Sequence, residues 1–136
     1  MKVKLTRFNQ DVPAPKRAHY NDAGADVYAP HSMVLAPGQV AKVNLGWTIE
    51  VPDTYMGLLM PRSGLAAKGI VTYYTPIDSG YRGPVHAMLY NSTLEPFSIA
   101  AGERICQLVI VPVLTPEFVE DLGQERGTGG FASTGK

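Results

Sequence analysis

Period-two alternation of apolar and polar residues dominates this chain. Its clearest instance is Val43, Leu45, Trp47, Ile49 and Val51, separated by Asn44, Gly46, Thr48 and Glu50, which predicts one strand with one buried face. Shorter stretches of the same kind span 2–8, 55–60, 70–74 and 85–90. Over 105–114 nearly every position is apolar, predicting a strand covered on both faces, with Pro112 requiring a bulge or an edge. Turn signals punctuate these runs at Ala36-Pro37-Gly38, Val51-Pro52-Asp53, Asp78-Ser79-Gly80 and Ala101-Gly102-Glu103. Many short strands with regular turns predict an all-β chain, a jelly-roll-like sandwich or barrel. Helical periodicity is almost absent. One short helix is predicted over 63–69, with Ser63 as its cap, good helix formers behind it and Gly69 ending it.

Composition narrows the class. At 136 residues the chain forms one domain, 1–125, followed by a Gly-rich tail, 126–136. Twelve acidic residues balance twelve basic ones, so no electrostatic footprint points to nucleic acid or to a membrane surface. An anionic ligand must then be held by a local constellation. A single cysteine, Cys106, excludes an intrachain disulfide and suits a soluble protein of a reducing, cytoplasmic compartment. The start of the chain alternates charge with apolar residues, unlike a secretory signal, and no apolar run approaches membrane-spanning length. His19, His31 and His86 lie far apart and give no His/Cys metal-ligand spacing.

Several polar residues stand where their chemistry matters. Pro61-Arg62-Ser63-Gly64 opens the predicted helix, combining a guanidinium, a hydroxyl and free backbone N–H groups; this suits an anion, and it equally suits an ordinary helix cap beside a solvated arginine. Ile77-Asp78-Ser79-Gly80-Tyr81-Arg82-Gly83 reads as a turn in which a ring beside a carboxylate defines a pocket wall or packs on the sheet. Gln107 interrupts an apolar strand and needs a hydrogen-bond partner, backbone or ligand. Asp26 is flanked by small and apolar residues and needs a cation if buried. In the tail, Gly130 to Lys136 approaches the phosphate loop G-x-x-x-x-G-K-[ST], but neither the final hydroxyl residue nor a helix follows Lys136 in this sequence. Glycine-freed N–H groups, Arg126, the hydroxyls and Phe131 suit a phosphorylated ligand carrying a flat ring, bound by a segment mobile without it.

Taken in order, Asp22-Ala-Gly-Ala-Asp26, Pro61-Arg-Ser-Gly-Leu-Ala-Ala-Lys-Gly69, Ile77-Asp-Ser-Gly-Tyr-Arg-Gly83, Gly102-Glu-Arg-Ile-Cys-Gln-Leu108 and Arg126-Gly-Thr-Gly-Gly-Phe-Ala-Ser-Thr-Gly135 resemble the five ordered motifs of the trimeric deoxyuridine triphosphatases (dUTPases). The resemblance implies a jelly-roll homotrimer with active sites shared between subunits. It implies Mg²⁺-assisted hydrolysis of dUTP to dUMP and pyrophosphate, limiting uracil entry into DNA and supplying dUMP for dTMP synthesis. Asp78 then activates the water that attacks the α-phosphorus, and Tyr81 packs against the deoxyribose and rejects a 2′-hydroxyl. Arg62, Ser63, Gly64 and Gln107 correspond to phosphate-site positions, and Asp26 holds the phosphate-site arginine. Thr72 and Ile77 belong to the uracil-binding hairpin. The tail closes over a neighbour's site, with Phe131 stacked on uracil and Arg126, Ser133 and Thr134 on the γ-phosphate side. Mg²⁺ is held mainly by triphosphate oxygens and water, with no direct protein ligand.

Three features depart from the family pattern. The hairpin reads Ile70-Val-Thr-Tyr-Tyr-Thr-Pro-Ile77 where glycine and asparagine are common, Gly80 replaces an acidic residue, and Ala132 replaces a glycine. Two other functions suit the same scaffold. One is a dCTP deaminase, which needs a glutamate at the base; none occurs between Pro61 and Arg82. The other is a non-catalytic regulatory or binding protein.

Overall fold

The alternating stretches pair into antiparallel ladders. The computed structural model describes residues 1–121. In chain order the elements are β1 (Lys4–Arg7), β2 (Ala25–Tyr28), β3 (Met33–Leu35), β4 (Val40–Asn44), β5 (Trp47–Glu50), β6 (Tyr55–Met60), α1 (Ser63–Ala67), β7 (Ile70–Thr72), β8 (Thr75–Ile77), β9 (His86–Asn91), β10 (Phe97–Ile99) and β11 (Arg104–Pro112). They form a four-stranded sheet in the order β2-β11-β6-β8, a three-stranded sheet β4-β9-β7, and two ribbons, β1-β5 and β10-β3. No closed barrel forms among the described residues, and the arrangement is jelly-roll-like, as the strand pattern predicted. None of their helices is long and apolar enough to cross a membrane.

Inward positions of these strands supply the core. Val27, Leu35, Leu45, Trp47, Leu59, Ile70, Leu89, Ile99 and Ile105 are fully buried, each worth about 1.5–3 kcal/mol in apolar area removed from water. Two polar side chains, Thr72 and Asn91, are buried among them. Asn91 donates to the carbonyls of Leu35 and Glu95, and its Oδ1 accepts from the amide and hydroxyl of Thr93. Those four hydrogen bonds tie the end of β9 to β3 and to the following turn.

The predicted strand through 43–51 is corrected. All five alternating apolar residues are buried, but the strand breaks between β4 and β5 at Gly46, whose φ is 86°. The Gly46 carbonyl accepts the amides of Phe8 and Asn9, so the chain leaves β9 there and pairs with β1. Only glycine adopts that backbone angle without strain. Ser63 is likewise not the cap: Arg62 occupies the N-cap in extended geometry with no side-chain capping bond, and Ser63 is the first helical residue.

In β11 the bulge lies between Arg104 and Cys106, not at Pro112. Pro112 is accommodated by an edge, because β2 pairs only as far as Leu108 and β11 continues against β6 alone. Ile105 and Cys106 are both fully buried as a result of the bulge, whereas most positions beyond them are partly exposed, so burial on both faces is confined to the strand's start.

Candidate active site

Four residues from three segments converge at the β2 edge of the four-stranded sheet. Asp26 on β2 stands opposite Gln107 on β11. Its Oδ1 lies 3.6 Å from Arg62 Nε and its Oδ2 lies 3.7 Å from Arg104 Nη1. These are Coulombic contacts, longer than hydrogen bonds. The sequence called for a cationic partner for Asp26; the fold supplies two. Arg62 also donates through Nη1 to the Arg104 carbonyl at 3.2 Å, fixing the guanidinium at the head of α1. Gln107 Nε2 donates to the Pro61 carbonyl at 3.0 Å, holding the same turn from the other side. Gly24 completes the packing, since a Cβ there would overlap the Gln107 amide.

Arg104 was not singled out from sequence, and the reason is geometric. Residues 104 and 107 are three apart, so a regular strand would point them to opposite faces. The one-residue bulge brings Arg104 opposite Tyr28 and onto the side of Asp26 and Gln107. A carboxylate between two guanidiniums leaves net positive charge; Lys68 adds to it and Glu103 offsets part of it. Arg62, Gly64, Lys68, Gly102 and Arg104 line a cavity of about 320 Å³. Gly64 and Ser63 are exposed, and a Cβ at Gly64 would meet nothing, so this side of the helix start is open to a ligand. The arrangement can bind a polyanion.

A second cluster follows β8. The Asp78 carbonyl accepts the Tyr81 amide at 3.1 Å, closing a turn. Tyr81 Oη donates to the Pro84 carbonyl at 2.6 Å, so the ring lies over Gly83, where a side chain would collide with it. Arg82 braces the turn: its Nη1 donates to the Ser79 carbonyl at 2.6 Å, and its Nε lies 3.7 Å from Glu50, itself 3.4 Å from Lys4. Asp78 is exposed, with no ion-pair partner among the described residues. It opens into a cavity of about 230 Å³ whose walls include Ile77, Tyr81, Pro84, Met88, Lys42 and His86. Ile77 is otherwise buried in the core.

Thr72 is not brought to this cavity. Ile70 and Thr72 are the inward residues of β7, and the Thr72 hydroxyl donates to the Ile105 carbonyl at 3.2 Å. The expected hairpin over 70–77 is also corrected. β7 pairs with β9 and β8 pairs with β6, so the two strands belong to different sheets and Tyr73-Tyr74 form a corner between them. Sequence reasoning missed Lys42 and His86 because both lie in ordinary alternating strands, and only the pairing of β4 with β9 sets them beside Asp78. Arg126, Phe131, Ser133 and Thr134 lie outside the described residues.

The two clusters are separate. Asp26 and Asp78 sit at opposite edges of the β2-β11-β6-β8 sheet. Three strand spacings and a register offset of four residues put them about 14 Å apart across the sheet and about 13 Å along it. Their cavities share no lining residue.

Comparison with known proteins bears on these segments directly. A family model described as dUTPase matches residues 10–135. The deoxyuridine 5′-triphosphate nucleotidohydrolase of Cutibacterium acnes is 48% identical over 128 residues, covering 89% of this chain and 84% of the relative. Among solved structures, the dUTPase of Staphylococcus bacteriophage 80alpha aligns with a TM-score of 0.86 at 28% identity, covering 91% of this chain and 98% of that one. A mutant dUTPase from phage phi11 of S. aureus, which coordinates a structural Mg(II) ion, aligns with a TM-score of 0.87 at 26% identity, covering 92% and 99%. The match takes in the guanidinium cluster, the Asp78 turn and almost all of the tail, and on that extent the chain belongs to the dUTPase family.

Proposed function

We propose that this chain hydrolyses dUTP to dUMP and pyrophosphate at sites assembled between copies of itself in a homotrimer. The observation that carries the shared site is the separation just described. A triphosphate held at Arg62 and Arg104 is out of reach of the same chain's Asp78. The Asp78 cavity, at about 230 Å³, is also smaller than the ~300–1,000 Å³ usual for a complete small-molecule site. It fits the nucleoside part, leaving the phosphates to another chain's cationic cavity.

In this reading Arg62, Arg104, Ser63, Gly64 and Gln107 bind phosphate oxygens, and Asp26 keeps both guanidiniums aimed. Asp78 orients a water against the α-phosphorus and takes its proton as the new P–O bond forms. The bond from the α-phosphorus to the bridging oxygen breaks, and pyrophosphate leaves with the electron pair. Tyr81, fixed through Pro84, forms the wall on which the deoxyribose rests, so a 2′-hydroxyl collides with it. With the Thr72 hydroxyl committed to Ile105, the base contacts fall to other groups of the corner and to Ile77. Residues 126–136 close the site, Phe131 stacking on uracil and Arg126, Ser133 and Thr134 meeting the γ-phosphate, which excludes bulk water.

Mg²⁺ fits this donor set as a companion of the nucleotide. Among the described residues no group of three or more His, Cys, Asp or Glu side chains is placed to hold a metal, and Asp26 already lies between two guanidiniums. When bound to the triphosphate, the ion neutralises oxygen charge and polarises the phosphoryl groups. The structural Mg(II) of the phi11 dUTPase supports metal use in the family. The hydrolase reading is favoured over deamination because, among the described residues, no glutamate lines the Asp78 cavity. Limiting uracil in DNA and supplying dUMP for dTMP follow from the reaction, and a reducing cytoplasm suits the buried Cys106.

The test is pyrophosphate release with Mg²⁺ from dUTP, dCTP, dTTP and UTP separately, by the full chain and by a chain truncated after Glu125. Release from dUTP alone, largely lost on truncation, is expected. No release from any of the four would sink the proposal.

A further inference from the structure

We propose that Lys42 is a specificity-determining residue that reads the 4-carbonyl of uracil; the proposal rests on the hydrolase reading and deepens it. Lys42 lies on β4 directly opposite Met88 of β9, and both line the cavity that contains Asp78 and Tyr81. The next pair on the same face toward the Tyr81–Pro84 turn is Asn44 with His86. Lys42 therefore stands about 7 Å farther from that turn than His86 does, two residues along the ladder. With the sugar against Tyr81, the edge of the ring remote from the glycosidic bond extends toward Met88 and Lys42. In uracil that edge carries the 4-carbonyl; in cytosine it carries an amine.

Several polar groups of the corner are already engaged. The Tyr73 amide donates to the Met88 carbonyl at 3.0 Å, the Tyr73 carbonyl faces the Thr75 hydroxyl at 3.4 Å, and Pro76 has no N–H. The Tyr81 phenol proton is committed to Pro84. A histidine ring donates or accepts according to its tautomer, so His86 alone does not separate a carbonyl from an amine. A lysine ammonium only donates. Lys42 is exposed and has no ion-pair partner among the described residues, so its charge is available. It attracts the 4-carbonyl of uracil and repels the 4-amine of cytosine, adding a charged discriminator to whatever backbone contacts the corner makes with the base.

Lys42→Met keeps the length and apolar stem of the side chain and removes its donors; Lys42→Arg keeps the charge. The ratio of kcat/KM for dUTP over dCTP, read by pyrophosphate release, is expected to fall about 10-fold in Lys42→Met, the lower end for a hydrogen bond to a charged group. Lys42→Arg is expected to recover most of it. An equal fall for both substrates, which would mark a phosphate contact, overturns the assignment, as does an unchanged ratio. Equilibrium binding of dUMP and dCMP to the same proteins gives the ratio without hydrolysis. A wild type that binds dUMP in preference to dCMP but cleaves nothing would therefore sink the hydrolase reading while still deciding the role of Lys42.

Discussion

Replacing Asp26 by Asn removes one negative charge at almost constant shape and leaves Arg62 and Arg104 facing each other. At 3.6 and 3.7 Å each contact carries about 4 kcal/mol of Coulomb attraction at an effective dielectric near 20, before desolvation and screening. The two contacts are not equal. The Asp26 and Arg62 side chains are 18% and 27% exposed, whereas Arg104 is 52% exposed, so solvent weakens the second contact most. After desolvation we expect coupling of about 1–2 kcal/mol for Asp26 with Arg62 and below about 1 kcal/mol for Asp26 with Arg104. Double-mutant cycles with Asp26→Asn, Arg62→Gln and Arg104→Gln, followed by urea unfolding at fixed protein concentration, measure both. In parallel, kcat/KM for dUTP is expected to fall in Asp26→Asn because neither guanidinium is held on the phosphates. Strict additivity in the Arg62 cycle would refute the reasoning, since a positioning carboxylate must couple to what it positions.

Further expectations concern the core, the sugar wall and the thiol. Asn91→Leu removes four hydrogen bonds, leaving the Thr93 amide without its acceptor and the Leu35 carbonyl without its side-chain donor, and is expected to cost about 3 kcal/mol, lowering Tm by roughly 10 °C in a thermal melt. Gly83→Ala pushes the Tyr81 ring off its seat, so discrimination of dUTP against UTP is expected to fall while stability changes little; an unchanged ratio would remove Tyr81 from sugar recognition. Burial pushes the Cys106 thiol from 9.0 up to about 12. The unfolded chain therefore releases that proton at a lower pH than the folded chain does. The thiol's contribution is complete below pH 9 and is lost as pH rises toward 12, by up to about 1.4 kcal/mol per pH unit. Cys106→Ala is expected to abolish that alkaline loss in denaturation curves taken across the window.

Much of the fold is visible in the alternation, because a sheet with one buried face imposes period two on its sequence. The buried set Val43, Leu45, Trp47, Ile49 and Val51 follows directly. The break at Gly46 does not, because alternation continues unchanged while the strand changes partners, and only the positive φ marks the exchange. The guanidinium cluster was half legible. Arg62, Asp26 and Gln107 stand out as polar residues in apolar or special positions, but Arg104 depends on a bulge that leaves no signature in composition. Lys42 and His86 are invisible for another reason: their pairing is long-range, and nothing local to either strand indicates which cavity it borders.

The central claim is that one nucleotide is served by two chains. It is tested most directly by mixing Asp78→Asn chains with Arg62→Ala chains, each inactive alone, after joint unfolding and refolding. Random assembly of a symmetric oligomer restores both groups at about a quarter of the shared sites, so a corresponding fraction of wild-type dUTP hydrolysis is expected to return. If the mixture stays inactive while each variant assembles normally, Asp78 and Arg62 act within one chain and the shared site is contradicted.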